Sequence, residues 1–296
     1  MYHGSVFARG VSVITPSLNQ GCYIDDCLRS VANQCGGMNI EQLVIDAGST
    51  DETHAIVSTY PHARLISHPL SSQSEAINQG IRLAKHDLVC WLNSDDFLLP
   101  GALAMFLSRI CNTPDRFFLY GDFYEIDKDK CFKRFRPIPP FVCGVVRNHA
   151  VYVPTSGSLF PKSVLDDGLL LHEELHYLMD RDFLIRLKEQ GYKFCHVTKP
   201  TAAFRVHDAQ KSHRNNVNPV RTAERLLLNR KYGGLYWGQR KVLNWNPILS
   251  FLGRAYISIT SRLMITFSRQ HAHARKYAIL ISSMKPSQQN SQKVTE

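Results

Sequence analysis

Two apolar runs in this chain stop abruptly at carboxylates. Val44 and Ile45 lead into Asp46-Ala47-Gly48-Ser49-Thr50-Asp51, and the run from Leu88 to Leu92 leads into Asn93-Ser94-Asp95-Asp96. Acids at a strand end suit a hard divalent cation held against phosphate oxygens. Mg2+ or Mn2+ favours oxygen ligands and needs only one or two protein carboxylates, because substrate phosphates and water complete its octahedron. An ion held this way offsets the charge that gathers on a departing diphosphate. Asp95 and Asp96 meet that need, and adjacent aspartates after a strand also serve as a turn or helix cap. Open α/β sheets keep their chemistry at strand ends, so the two acid-ended runs can form one site.

The elements that must position these acids follow from periodicity. Val11 to Thr15 reads as a first strand, ended by Pro16 and the polar turn Ser17 to Gly21. Ile24, Cys27, Leu28, Val31 and Ala32 recur at helical spacing. Gln42 to Asp46 is a second strand, and Ser49 to Thr53 offers caps for a helix through Ile56 to Tyr60. Arg64 to Ser67 is a third strand, Ser71 to Glu75 opens another helix, and Leu88 to Leu92 is a strand of buried type. Pro100 opens a helix over Gly101 to Ile110, and Phe117 to Tyr124 resumes strand character. This rhythm predicts an α/β fold with a mostly parallel sheet flanked by helices.

Further along, Arg134 to Pro154 is irregular, with Pro137, Pro139 and Pro140, and is a candidate active-site loop or acceptor-facing lid. Helical order returns near Glu173 and runs to Leu187, with Asp180 and Asp182 at its start or within its first turns, and Gly191 closes it. Tyr192 to Thr198 and Ala202 to His207 read as strands. Beyond Pro219 the pattern turns helical and basic. Ile248, Leu252, Tyr256, Ile259, Leu263 and Phe267 share one helix face, while Arg254, Arg262 and Arg269 interrupt every long apolar run, leaving nothing long enough to span a bilayer. Such a helix either packs on the main domain or lies in a membrane interface.

Composition sets the bounds. With 296 residues, 44% hydrophobic and 20% charged, the chain can bury a large core, and extensive disorder is excluded. The expected division is a catalytic domain over 1–218, a basic helical C-terminal appendage over 219–284 and a flexible polar tail over 285–296. The net charge of +10 is lopsided: Pro219 to Glu296 holds 13 Lys and Arg against 2 acids, whereas the preceding residues hold 22 against 23. That tail suits anionic phospholipid or a phosphate-bearing substrate, or is a solvated surface. The eight cysteines show no CxxC pair and read as reduced, mostly buried thiols. Met1 to Gly10 lacks a signal-peptide pattern, so a cytoplasmic location is expected, peripheral on the inner membrane face if the tail meets lipid.

Four ordered motifs, Thr15-Pro16-Ser17-Leu18-Asn19, Val44 to Asp51, Gln73 to Gly80 and Trp91 to Asp96, together resemble the family 2 glycosyltransferases. The resemblance extends over roughly Val11 to His213 and implies a GT-A fold and transfer of a sugar from a nucleotide-sugar with inversion, usually with Mg2+ or Mn2+. It places Thr15, Pro16, Ser17, Asn19, Asp46, Gly48, Gln73, Asn93 and Ser94 around the donor nucleotide. Asp46 falls where the family's acid contacts the base, and a carboxylate can accept the N3–H of uracil, which fits a UDP-sugar. Gly48 permits the tight turn, and Asp51 is either a ligand or a helix cap. Asn93-Ser94-Asp95 corresponds to the family's DxD motif with Asn at its first position, so the resemblance rests metal binding on Asp95, with Asp96 and His207 as further ligands. Met179-Asp180-Arg181-Asp182 resembles the family's ED-containing motif, which makes Asp180 the catalytic base. Asp182 reads as structural, paired with Arg181 or Arg186, while Arg205 and Lys211 are alternative clamps for the diphosphate.

The expected partners are a nucleotide-sugar donor and a glycan or lipid-linked acceptor in surface polysaccharide or glycolipid biosynthesis, with peripheral contact to anionic membrane and no nucleic acid. Two other readings stand beside this. A nucleotidyltransferase would carry a basic, glycine-rich phosphate loop near the start, and Ser17 to Gly21 has no Lys or Arg. A nucleic-acid-binding protein would set Tyr232, Tyr236 and Trp237 among Arg230, Lys231 and Arg240 on one face.

Overall fold

A computed structural model of the chain describes residues 10–34, 37–110, 113–211, 218–237, 240–244 and 247–267. The tail expected over 285–296, the stretch 268–284, Ser212, His213, Cys35, Cys111 and the side chains of Tyr236, Trp237 and Phe267 lie outside the described residues.

The alternation expected from the sequence is present. β1 (Val11–Ser17), α1 (Gly21–Ala32), β2 (Ile40–Asp46), α2 (Thr53–Val57), β3 (Ala63–Ser67), α3 (Gln73–Leu83) and β4 (Leu88–Trp91) follow one another. β1 lies between β2 and β4 and is parallel to both, and β3 extends this parallel half beyond β2. The two acid-ended strands are therefore the two neighbours of β1.

The second half adds β5 (Phe97–Leu98), α4 (Ala102–Ile110), β6 (Phe117–Asp127), β7 (Phe132–Arg136), α5 (Cys143–Asn148), β8 (Ser158–Pro161), α6 (Met179–Glu189) and β9 (Lys193–Val206). The nine-stranded sheet has the order β3-β2-β1-β4-β8-β6-β9-β5, with β7 paired to β6 off this path. Here antiparallel pairs enter: β8 runs against β4 and β6, β7 against β6, and β5 against β9, while β6 and β9 are parallel. The sheet is thus parallel where strands alternate with helices and mixed where hairpin-like returns replace them.

Strand parity divides the core between the two faces of this sheet. Val11 and Val13 of β1, Leu88 and Cys90 of β4, and Phe117 and Leu119 of β6 join α1 and α4 in one cluster. Ile14, Val89, Trp91, Phe118 and Tyr120 join α3 and α6 in the other. Close packing on the second face depends on Gly80 in α3, where a Cβ would come 2.3 Å from Ile14 Cγ2. α3 begins with a reciprocal cap: Glu75 N donates to Ser72 Oγ at 3.1 Å, and the Glu75 carboxylate accepts from Ser71 N at 2.7 Å.

Several boundaries differ from the sequence reading. The irregular stretch 134–154 holds the end of β7 and all of α5. The helix expected from Glu173 starts at Met179, because the preceding residues are held by other elements: Asn78 Nδ2 donates to Leu171 O, Ser74 Oγ to Leu175 O, and the backbone N–H groups of His176, Tyr177 and Leu178 to Glu224. The two strands expected over 192–207 are one, β9, whose register shifts near Gly121 and Asp122 of β6.

The C-terminal segment forms α7 (Pro219–Tyr232), a hairpin of β10 (Gly234–Trp237) and β11 (Arg240–Asn244), and α8 (Pro247–Phe267), so it is not helical throughout. α7 starts with Pro219 behind an Asn218 cap and buries Leu228 and Tyr232 in the core shared with α6. It is integrated into the main body at the boundary drawn at 218. None of the six described cysteines is in a disulfide, and only Cys27 and Cys90 are buried, against the expectation of mostly buried thiols.

Candidate active site

The carboxyl ends of β1, β2 and β4 form one edge at the point where the strand order reverses around β1. Ser94 Oγ donates to Pro16 O at 2.9 Å and so ties the β4 turn to the end of β1. Asn19, in the left-handed region with φ of 52°, accepts from Thr50 N at 2.9 Å and donates its own N–H to Ser49 Oγ at 2.7 Å, which ties the end of β1 to the β2 turn. Gly48, at φ of 95°, makes that turn possible. Ser17 Oγ and Gln20 Oε1 are buried here without a partner among the described residues, so both can bond to a polar group at this edge.

Asp46 is fully buried and its carboxylate builds the turn. Oδ2 accepts from Gly48 N at 3.0 Å, Ser49 N at 2.8 Å and Ser67 Oγ at 2.9 Å, faces His54 Nε2 at 2.8 Å, and Oδ1 accepts from Ser49 Oγ. Burial raises its pKa, but His54, Ser49 and Ser67 together outweigh burial and bring it down to about 2. Thr15 is likewise engaged within the protein, accepting from Gln42 Nε2 at 2.9 Å. Asp51 is a cap rather than a free ligand: it accepts from Gly21 N at 2.8 Å and from Thr53 N at 3.1 Å.

At the end of β4, Asn93 is held from three sides. Its Oδ1 accepts from Trp91 Nε1 at 2.9 Å and Gln73 Nε2 at 3.1 Å, its Nδ2 donates to Asp96 at 3.4 Å, and its N–H donates to Ser156 Oγ at 3.0 Å. An amide suits this place because Asp96 beside it is buried. Burial first, then the charge of Asp95, raises the Asp96 pKa well above the carboxylate range, against the pull of Ser156, Arg205 N–H and Asn93. A third carboxylate here would add like-charge repulsion.

The two adjacent aspartates point to different tasks. Asp96 turns inward and accepts from Arg205 N at 3.1 Å. Asp95 stays partly accessible, with Oδ2 3.2 Å from His207 Nε2. His207 in turn packs against the Tyr23 ring at 4.7 Å. β9 brings His207 here because its end pairs with β5, Ala203 opposite Phe97, directly after the acidic turn. Arg205 is spent internally: it donates to Asp95 O at 3.1 Å, Lys128 O at 2.9 Å and Asp26 at 2.8 Å. Lys211 is exposed at the edge of the described segment.

Among the described residues no group of three or more His, Cys, Asp and Glu is placed to hold a metal. The described residues thus form no closed cage, but Asp95 and His207 together offer what Mg2+ or Mn2+ asks of a protein when phosphate oxygens supply the remaining ligands. The donor set fits such an ion.

Asp180 is set apart from these contacts, in the first turn of α6, where the helix end favours a negative charge. Burial raises its pKa to about 6, opposed by the N–H and the charge of Arg181. Arg181 is buried with its guanidinium donating to Val146 O at 2.8 Å, Arg147 O at 2.6 Å and Asn229 Oδ1 at 2.8 Å, so α5 and α7 fix the turn that carries Asp180. The N-terminus of α3 lies at the same sheet edge through Gln73 and Asn93, and Ser74 holds Leu175 a few residues before Asp180. Asp182 is structural: it pairs with Arg186 Nε at 2.6 Å and accepts from Tyr232 Oη at 2.6 Å, with His172 at 3.0 Å. Arg186 is thus its partner, and Arg181 is not.

Ser156 and Glu224 were not singled out from sequence, and Trp91 was read only as the start of its motif and not as the donor that holds Asn93. Ser156 lies in a turn closed by Gly157, whose N–H donates to Trp91 O at 2.6 Å, and nothing local in Thr155-Ser156-Gly157 points to the β4 turn. Glu224 is the one acid within α7, and its isolation in a basic stretch was a usable signal.

A model of glycosyl transferase family 2 matches residues 12–162. An uncharacterised protein of Mycobacterium tuberculosis is 29% identical over 199 residues, 60% of this chain and 61% of that protein. A PGL/p-HBAD biosynthesis glycosyltransferase of Mycobacterium bovis is 35% identical over 38% of this chain and 45% of its own, and Escherichia coli chondroitin synthase is 34% identical over 33% of this chain and 15% of its own. The matches thus span less than two thirds of these relatives' lengths. Among solved structures, Staphylococcus aureus TarS 1–349 in complex with UDP-GlcNAc shares the fold with a TM-score of 0.61 at 17% identity, covering 75% of this chain and 65% of that one.

Proposed function

From the premise that this chain belongs to glycosyl transferase family 2, we propose that it transfers a sugar from a UDP-sugar, with inversion, to a hydroxyl of a glycan or lipid-linked acceptor. The observation that carries this reading is the family match over residues 12–162 together with the single sheet edge at which Asn93, Asp95 and His207 meet; Asp180, in the first turn of α6 with a pKa raised by burial to about 6, is the group that can take a proton near neutral pH. Asp180 removes the proton of the acceptor hydroxyl as that oxygen bonds to the anomeric carbon. The bond from that carbon to the diphosphate breaks on the opposite face, and UDP leaves.

Support for a uridine donor is the fold shared with TarS, whose structure contains UDP-GlcNAc. The relatives involved in PGL/p-HBAD biosynthesis and the chondroitin synthase support a glycolipid or polysaccharide acceptor. Pro16, Ser17, Asn19, Gly48, Gln73, Asn93 and Ser94 form the donor pocket. Thr15 and Asp46 are completely buried with their side chains engaged within the protein, and act through the shape of their strand ends. Asp95 and His207 would hold Mg2+ or Mn2+, and Asp96 positions the β9 end that carries His207. When bound, that ion supplies charge stabilisation for the departing diphosphate.

Calorimetric titration of UDP into the protein with and without Mn2+ tests the donor site. Wild-type protein should bind UDP more tightly with Mn2+, and Asp95→Ala should lose most of that gain. Equal binding with and without the ion in both proteins would remove Asp95 and His207 from the metal site.

A further inference from the structure

α8 has two apolar faces, and among the described residues only one is covered. On the covered face, a Cβ at Gly253 would lie 2.8 Å from His149 Cβ, and Tyr256 Oη donates to Pro140 O at 2.9 Å while its ring meets Tyr152 edge-on at 6.4 Å. The other face carries Ile248, Phe251, Leu252, Ile259 and Leu263, each 52–67% exposed. At 100° per residue these five fall in one stripe, with Tyr256 at its edge and Gly253 beyond that edge, on the side of α5. Single exposed leucines are ordinary on a protein surface; a stripe of five large apolar side chains on one helix is not.

Charge selects what covers it. Residues 219–296 carry 13 basic residues against 2 acids, and one of those acids, Glu224, is buried against the backbone of 176–178. Both Arg254 and Arg262 are exposed: on the same projection Arg262 falls within the stripe, between Phe251 and Ile248, and Arg254 lies beside it, beyond Phe251. Two copies meeting through so basic a segment repel each other, whereas an anionic lipid surface attracts it. No described helix is long and apolar enough to cross a membrane, so α8 would lie flat. We propose that α8 docks on an anionic bilayer, with Ile248, Phe251, Leu252, Ile259 and Leu263 at the acyl boundary and Arg254 and Arg262 among the headgroups. The helix beneath α8 is α5, whose Val146 and Arg147 carbonyls hold Arg181 beside Asp180, so one short helix links the lipid-facing surface to the turn of the base. This deepens the reading of a lipid-linked or surface-glycan acceptor and rests on it only for its purpose.

The test is flotation of the full chain, without nucleotide, with vesicles of phosphatidylcholine alone and of phosphatidylcholine mixed with phosphatidylglycerol, alongside light scattering in solution. The protein should float with the mixed vesicles and stay down with the neutral ones. The exposed double change Leu252→Glu with Ile259→Glu should lower the bound fraction about tenfold, and Arg254→Glu with Arg262→Glu should lower it several-fold, both with UDP affinity and circular dichroism as in the wild type. No flotation by the wild type, flotation unchanged in both variants, or a wild-type dimer that Leu252→Glu with Ile259→Glu splits would overturn the proposal. The last outcome would give the stripe to a second copy. Because flotation is read without nucleotide, failure of UDP binding would count against the donor site and leave this result standing.

Discussion

Replacing Asp180 by Asn keeps the shape of the side chain and an oxygen that can accept from Arg181 N, now 2.7 Å away, while removing the basic form. With a pKa of about 6, the carboxylate is about nine-tenths present at pH 7 and about one-tenth at pH 5. The wild-type kcat should therefore fall close to tenfold per pH unit below about pH 6. Asp180→Asn should lose about 10²- to 10⁴-fold in kcat and lose that acid limb with it, while UDP affinity stays unchanged, because no donor-pocket residue bonds to Asp180. Stability supplies an independent sign. A folded-state pKa raised from 3.8 to about 6 means the folded protein binds this proton more tightly than the unfolded chain. That advantage is complete below about pH 4 and is lost as pH rises through about 6, at most about 3 kcal/mol by neutral pH. Asn carries no such dependence, so the melting temperature of the variant relative to wild type should rise between pH 4 and 7, less whatever Arg181 loses with its charged neighbour. The assay is UDP release across pH 5 to 8 with thermal melts on the same samples. Near wild-type kcat in Asp180→Asn, an unaltered acid limb, or loss of UDP affinity in parallel with kcat would refute this role.

Changes at three further positions test how the site is held. Asp96→Ala leaves Arg205 N–H without its acceptor and should cost about 1–3 kcal/mol, whereas Asp96→Asn, close to the protonated form that burial favours, should melt near the wild type; equal losses would show that the charge matters. Glu224→Gln weakens an acceptor shared by the N–H groups of His176, Tyr177 and Leu178 and should lower kcat with UDP affinity intact, and an unchanged kcat would show that this segment needs no clamp. Gly80→Ala would set a Cβ 2.3 Å from Ile14 Cγ2; overpacking of about 1–3 kcal/mol should exceed the roughly 1 kcal/mol of helix propensity gained, and an equal or higher melting temperature would contradict this packing.

The first half of the fold was legible because each element carries its own local signal. β1, β2 and β4 are short buried runs ended by turn formers, and α3 carries its cap in Ser72 and Glu75. The second half depends on partners far along the chain. β5 is two residues long and exists because β9 pairs with it, and α5 follows closely on Pro137, Pro139 and Pro140, which obscure it. The start of α6 at Met179 is set by α3 and by Glu224 in α7, which no local pattern near Glu173 reveals.

The site divides in the same way. The two acid-ended strands could be read directly, and parallel pairing to β1 explains why they meet. Which way each carboxylate turns was harder. Asp46 shares strand parity with Val44, which packs with Val57 of α2, so alternation directs it to the side where His54 meets it. Asp95 and Asp96 follow a strand end, where parity lapses, and only the arrival of β9 distinguishes the one beside His207 from the one beneath Arg205.

The most direct test is turnover of a panel of UDP-sugars by the full chain, with Mn2+ and with a chelator, in the presence of membrane and glycan extracts as acceptor, followed by NMR assignment of the anomeric linkage formed. We expect Mn2+-dependent release of UDP from at least one donor and a product linkage opposite in configuration to that donor. A product with the donor's configuration retained would contradict Asp180 as the base of an inverting transfer, and the absence of binding or turnover with every donor under every condition would contradict the enzymatic account itself.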